Sequence, residues 1–122
     1  MSVLVTVGLG FIGSKVVLQL LKRDIPVIVA DLDITKNRDK LEKNINKIGK
    51  NKVLVNYEKL DITDFQNVEK IFSKNKLDCV INLAYGIGAI CEENPLLASK
   101  INVVGTTSIL LASKGFSSQI AP

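Results

Sequence analysis

The chain has no histidine and no tryptophan, and only two cysteines, three prolines and one methionine in 122 residues. Without histidine there is no imidazole base, no Ser-His-Asp triad and no histidine metal ligand. Cys79 and Cys91 are not spaced as a metal or redox pair, so reduced thiols in a cytoplasmic protein are the expectation. Aromatic residues make up 5% of the chain and do not interleave with the basic ones, which argues against a nucleic-acid surface despite a net charge of +4. The sequence shows no signal-peptide pattern and no apolar run long enough to span a membrane, so no membrane partner is expected.

What is there in quantity is apolar material, 47% of the residues. A chain of this length forms one domain and buries about two thirds of its unfolded surface. The basic residues gather in one segment, Lys36, Arg38, Lys40, Lys43, Lys47, Lys50 and Lys52. There Leu41, Ile45 and Ile48 recur at i, i+4 and i+7, which reads as a helix whose lysines form its wet face.

The most informative stretch begins at Val3. An apolar, β-branched run, Val3 to Val7, ends in Gly8-Leu-Gly10-Phe-Ile-Gly13, and Ile12, Val16, Val17, Leu20 and Leu21 then follow on one helical face. Strand, glycine turn and helix in that order make a cradle for a diphosphate. Gly8 and Gly10 let the backbone approach the anion, Gly13 lets helix and strand pack closely, and the positive end of the helix faces the charge. A second strand follows Pro26 and ends in Asp31, eighteen residues after Gly13. An acidic residue there can accept both ribose hydroxyls of an adenosine and would repel a 2′-phosphate, so NAD is expected over NADP. Lys36 and Arg38 lie near enough to soften that preference.

Strands and helices alternate along the rest of the chain. Strands are expected at 3–7, 26–31, 52–57 and 79–83, with helices at about 12–23, 36–48, 65–72 and 95–114. Asp64 or Thr63 reads as a helix cap, Pro95 as a first-turn residue and Gly115 as a terminator. Cys91 falls in an expected loop containing Gly86 and Gly88, and residues 116–121 can start a fifth strand. This is the pattern of a three-layer α/β fold, a Rossmann-like doubly wound parallel sheet of order 3-2-1-4-5. Ligands bind such sheets at the carboxyl ends of the strands, where Gly8–Gly13, Asp31, Asp61-Ile62 and Leu83-Ala84-Tyr85 converge. Asp61 can accept from an adenine amino group while Ile62 packs on the ring. Asp61 also reads as an ordinary turn residue.

Four collinear segments resemble the amino-terminal half of the extended short-chain dehydrogenase/reductase family, the NAD-dependent sugar-nucleotide epimerases and dehydratases. They are Thr6-Val-Gly-Leu-Gly-Phe-Ile-Gly-Ser14, Leu60-Asp-Ile-Thr-Asp64, Val80-Ile-Asn-Leu-Ala84, and Glu93-Asn-Pro followed by Asn102-Val-Val-Gly-Thr106. The resemblance implies that Gly10, Phe11, Ile12 and Gly13 line the diphosphate and Asp31 binds the adenosine ribose. It implies that Asp61 and Ile62 hold adenine, and that Leu83, Ala84 and Tyr85 pass under the nicotinamide half. Asn102 would be the family's structural asparagine beside the active site. It further implies a homodimer through the 95–114 helix, with Leu96, Leu97, Ile101, Val104, Leu110 and Leu111 left partly bare.

The sequence departs from the family twice. The family's turn glycines fall at positions 7, 10 and 13, but position 7 is Val7, so Gly8 is expected to supply the turn. The family's chemistry uses a Tyr-x-x-x-Lys pair, whereas four residues after Tyr57 and Tyr85 stand Asp61 and Ala89. The chain thus reads as the NAD-binding domain of such an enzyme without its catalytic half, a fragment or a half-length relative. A stand-alone dinucleotide-binding module, or a self-associating remnant without catalysis, are the competing readings.

Overall fold

The computed structural model describes residues 2–115 and 119–121. Five parallel strands, β1 (Val3–Thr6), β2 (Val27–Asp31), β3 (Val55–Lys59), β4 (Cys79–Ile81) and β5 (Gln119–Ala121), form one sheet of order β3-β2-β1-β4-β5. That is the doubly wound order expected of the sequence. Its reversal point lies between β1 and β4.

Side chains of β1 alternate between two cores, as the period-two geometry of a strand requires. Val3 and Val5 pack with Val17 and Leu21 of α1 (Phe11–Lys22) and with Leu41 and Ile45 of α2 (Arg38–Lys47). Leu4 packs on the other face with Val68, Ile71 and Phe72 of α3 (Phe65–Lys74) and with Ile109 further along the chain. Each such buried aliphatic side chain contributes about 1.5–3 kcal/mol, so the sheet is anchored from both sides. The basic face of α2 is solvated, with Lys40, Lys43 and Lys47 exposed opposite Leu41 and Ile45.

Several boundaries differ from expectation. β1 stops at Thr6 because Val7 takes a left-handed backbone, φ 53°, which cannot continue a strand. Residues Lys52–Leu54 form a 3₁₀ turn started by the Asn51 side chain, which accepts from Val53 N at 2.9 Å, so β3 begins only at Val55. Asp64 caps α3, accepting from Asn67 N. Cys91 sits in a short helix, α4 (Ala89–Glu93), rather than in a loop.

The expected 95–114 helix is continuous but not uniform. α5 (Pro95–Ser99) is capped by Asn94, passes into a π-wound stretch, Lys100–Gly105, and continues as α6 (Thr106–Lys114). By length and composition alone this 20-residue unit is apolar enough to cross a membrane, which corrects the expectation that no segment is. That expectation sought an unbroken apolar run, and Lys100 and Asn102 interrupt it. In the fold, Gly105, Ser108, Ile109, Ala112 and Ser113 of this unit are buried inside the domain. Residues 116–118, expected to lead into the fifth strand, lie outside the described residues.

Candidate functional site

The site grows from the end of β1. Thr6 is buried among apolar residues, and a buried hydroxyl needs partners. It donates to Asn82 Oδ1 at 2.6 Å and accepts from Leu83 N at 2.8 Å and Ala84 N at 3.2 Å. One hydroxyl thereby pins the chain leaving β4 against the chain leaving β1. Leu83 turns toward the α1 core and Ala84 toward the α3 core.

The next residue makes the turn. The expectation that Gly8 supplies the left-handed conformation is not met: Val7 adopts it, and Gly8 has no positive φ. Gly8 serves closeness instead. Its N–H donates to Ala30 O at 3.1 Å, and a Cβ on it would stand 2.8 Å from Val29 Cγ1. Gly10 N donates back to Val7 O at 3.0 Å, and Gly10 caps α1 without a side chain. At Gly13 a Cβ would run into the Val7 carbonyl. The first turn of α1 thus rests on the carbonyl of the turn residue. Its leading N–H groups have no carbonyl one turn earlier in the helix to accept them. Phe11 and Ile12 in that turn are largely exposed, and Lys15 Nζ lies 4.5 Å over the Phe11 ring.

Asp31 ends β2 beside this turn. Its Oδ2 accepts from Leu9 N at 3.2 Å and its Oδ1 from Leu32 N at 2.8 Å, so the carboxylate is oriented by the glycine turn itself. Asp61 lies just beyond the end of β3. Its Oδ1 accepts from both Thr63 N (2.9 Å) and Thr63 Oγ1 (2.6 Å), an Asx turn, while its own N–H donates to Asn67 Oδ1 at 2.9 Å. Ile62 is buried against Gly105, where any Cβ would collide with the Ile62 side chain.

Between these turns lies a largely apolar cleft of about 320 Å³. Of the residues singled out in the sequence, Asp31, Asp61, Ile62, Ala84 and Tyr85 line it. Gly10 and Phe11 instead border a neighbouring, more polar groove between α1 and α2, together with Lys15, Asn37 and Lys40. Gly8, Gly13, Leu83 and Asn102 are not among the residues that line it. Asn102 acts at one remove: its Nδ2 donates to Gly86 O at 2.9 Å and its Oδ1 accepts from Gly86 N at 2.7 Å. Cys91 Sγ donates to the same Gly86 carbonyl at 3.3 Å.

Leu32, Thr63, Ile90, Leu97 and Ile101 also line the cleft, a placement that the sequence does not assign to them. The last three carry no local signal, because only the long helix and α4 bring them over the sheet. Thr6 did carry one, as a lone polar residue closing a buried strand. Ile101, expected to be partly bare, is half-buried against the α3 core, and Leu96, Val103, Leu110 and Leu111 are at least half exposed.

Charges around the cleft are placed with some consequence. Arg38 Cζ stacks 3.9 Å from the Tyr57 ring and its Nε lies 3.3 Å from Glu42 Oε1, so it is drawn onto β3 and α2. Tyr57 OH donates to the same Glu42 oxygen at 3.3 Å. Burial, reinforced by the Glu42 charge, pushes the Tyr57 pKa up to about 12. The Thr35 hydroxyl, then the Thr35 and Lys36 N–H groups, hold Asp33 below its ordinary value. Among the described residues no three Cys, Asp or Glu side chains gather as a metal site.

The residues present fit a dinucleotide. The turn at Gly8–Gly13 leaves no room for side chains where a diphosphate would approach, a carboxylate stands beside it, and an apolar slot opens between the two acidic turns.

Comparison with known proteins agrees with this geometry. UDP-glucose 4-epimerase 2 of Arabidopsis thaliana is 40% identical over 111 residues, covering 89% of this chain and 31% of that protein. The UDP-glucose 4-epimerase of Yersinia enterocolitica is 38% identical over 112 residues, covering 90% of this chain and 32% of its own. Among solved structures, the Thermus thermophilus UDP-glucose 4-epimerase complex with NAD superposes with a TM-score of 0.78 at 30% identity, over 96% of this chain and 35% of that one. The Bifidobacterium longum UDP-glucose 4-epimerase in complex with NAD⁺ and UDP gives 0.78 at 29% identity, over 96% and 34%. The chain therefore spans about a third of the length of these relatives. The model of the GDP-mannose 4,6 dehydratase family matches residues 4–120, and the chain belongs to that family, within the extended short-chain dehydrogenase/reductases.

Proposed function

We propose that this chain is the NAD-holding part of a nucleotide-sugar epimerase or dehydratase. The observation that carries the reading is the Asp31 carboxylate, tied by Leu9 N to the glycine turn and lining the apolar cleft. In that position it accepts the hydroxyls of an adenosine ribose, while Asp61 and Ile62 bound the slot for the adenine. The first turn of α1 receives the diphosphate. Leu83, Ala84 and Tyr85, with the first two fixed by the Thr6 hydroxyl, form the floor beneath the nicotinamide. The nicotinamide supplies hydride transfer to and from the sugar; the residues of this chain orient the cofactor and exclude water from its adenosine end.

NAD is favoured over NADP on two counts. A 2′-phosphate would meet the Asp31 carboxylate, and Arg38, the cation best able to relieve it, is held by Tyr57 and Glu42. No tyrosine in this sequence is followed four residues later by lysine, so we expect cofactor binding by this chain alone without epimerase turnover. Calorimetric titration with NAD⁺ and NADP⁺ in parallel is the test. Micromolar binding with NAD⁺ preferred supports the reading; absence of heat with either, both from the wild-type chain and from a folded chain lacking the Val7 side chain, overturns it.

The bare apolar face of the long helix supports a second copy as partner. Leu96, Val103 and Leu110, seven residues apart along this helix, are all at least half exposed, and apolar surface on one helical face favours association. We expect concentration-dependent dimerisation through Pro95–Lys114. A monomer at every concentration in sedimentation would count against it.

A further inference from the structure

Three described residues other than glycine have positive φ: Val7, Asp24 and Asn37. Aspartate and asparagine tolerate that region, because their side chains bond locally; a β-branched valine does not. Val7 also cannot rotate out of it cheaply. Its carbonyl accepts from Gly10 N and fills the space beside Gly13, and the next residue is tied to Ala30 O. The turn is therefore pinned from both sides around a strained residue.

The pinning decides where the side chain goes. Val3 and Val5 of β1 point into the core, but Val7 is half-buried and lines the cleft with Thr6, Ala30, Asp31 and Ala84. Its Cγ1 would stand 3.0 Å from a Cβ placed on Gly10. An isopropyl group thus lines the cleft beside Gly10, in a lining it shares with Asp31, where bare backbone would leave open space. We infer that Val7 limits the cofactor affinity of this chain by walling the cleft between the glycine turn and Asp31. The inference rests on the proposed NAD site and concerns a residue to which that proposal gives no role.

The test uses the full chain in three forms: wild type, Val7→Ala and Val7→Gly. Alanine removes both γ-methyl groups but keeps a Cβ at positive φ; glycine removes the wall and the strain together. Each is titrated with NAD⁺ and melted thermally. Val7→Ala should bind NAD⁺ on the order of tenfold tighter than wild type, the usual worth of relieving a clash of one or two methyl groups in a pocket. Val7→Gly should bind at least as tightly, and should melt several degrees higher than the other two. Binding by Val7→Gly or Val7→Ala where wild type shows none would support the inference most strongly. Wild-type binding with unchanged or weaker affinity in both folded variants would overturn the inference alone. No binding by any of the three would overturn it together with the proposed NAD site.

Discussion

The two walls of the cleft are built in different ways. One, made by Asp31–Leu32 and Asp61–Thr63, consists of residues at or just beyond the ends of β2 and β3. Its carboxylates already accept from N–H groups one or two residues on, or from the adjacent glycine turn. The other, running from Ala84 to Ile90, is a loop that leaves the sheet and enters α4; it is retained by the two hydrogen bonds of Asn102, a side chain on the long helix. Leu97 and Ile101 of that helix close it. The contrast shows how far a strand end can position a residue. Ladder hydrogen bonds place the first few residues of a loop. Beyond that, the position depends on an element distant in sequence.

The largest effect should come from disturbing the glycine turn, to which the first wall is tied through Leu9 N. Gly13→Ala drives a methyl group into the Val7 carbonyl, which is backbone and cannot step aside. We expect a loss of at least about 3 kcal/mol in denaturant unfolding, with both walls lost together. A near-native midpoint for this variant would show that the α1 contact is looser than the geometry requires.

A smaller disturbance should separate the walls. Gly105→Ala meets the tip of Ile62, a side chain able to shift, so the expected cost is about 1–2 kcal/mol. In an Ile62→Ala background that cost should nearly vanish, because the colliding atoms are gone. A double-mutant cycle with no coupling would mean that the long helix does not press on the Asp61–Thr63 wall. Asn102→Ala should cost a similar amount or less, about 1–2 kcal/mol, by leaving Gly86 N without its acceptor and Gly86 O with the Cys91 thiol in place of the amide. Its signature is regional. Amide exchange should quicken across residues 84–90 while residues 31–33 and 61–63 keep their protection. Equal quickening in both walls would erase the distinction drawn here.

The smallest effect concerns the outside of the first wall. Tyr57 holds its proton to about 12 in the folded chain, against about 10 unfolded. Between these values the folded state binds the proton that the unfolded state has lost. The contribution of Tyr57 to stability is therefore complete below pH 10 and falls away as pH rises toward 12. Tyr57→Phe should flatten that part of the stability–pH curve, measured by denaturant midpoints from about pH 9 upward. An unchanged slope would mean that the Glu42–Tyr57 pair does not persist in solution.

Much of the first wall was legible before any coordinates. Asp31, Asp61 and Ile62 are recognisable because each stands at a fixed offset from an apolar run, and strand order follows from strict alternation of strands with helices. The turn was misread at one residue. Spacing suggested that Gly8 replaces a missing glycine at position 7, but the chain must turn where β1 leaves the sheet, and Gly8 is needed flat against Val29. The second wall was barely legible. Asn102 could be singled out, but its partner Gly86 could not. Helical periodicity leaves Ile101 partly bare, but it reveals neither its place in the cleft nor the π-winding of Lys100–Gly105.

The sequence by itself determined the layered α/β architecture, the glycine cradle and its acidic companion. These depend on residue types at short, regular spacings, and steric and hydrogen-bonding rules act locally on such patterns. Tertiary structure alone decided which residues share the cleft, which way Val7 points, and that Thr6 and Asn102 hold its floor and far wall. Those outcomes depend on contacts between segments 16 to 78 residues apart. Such contacts form only when the sheet brings distant strand ends together, so no local pattern can encode them.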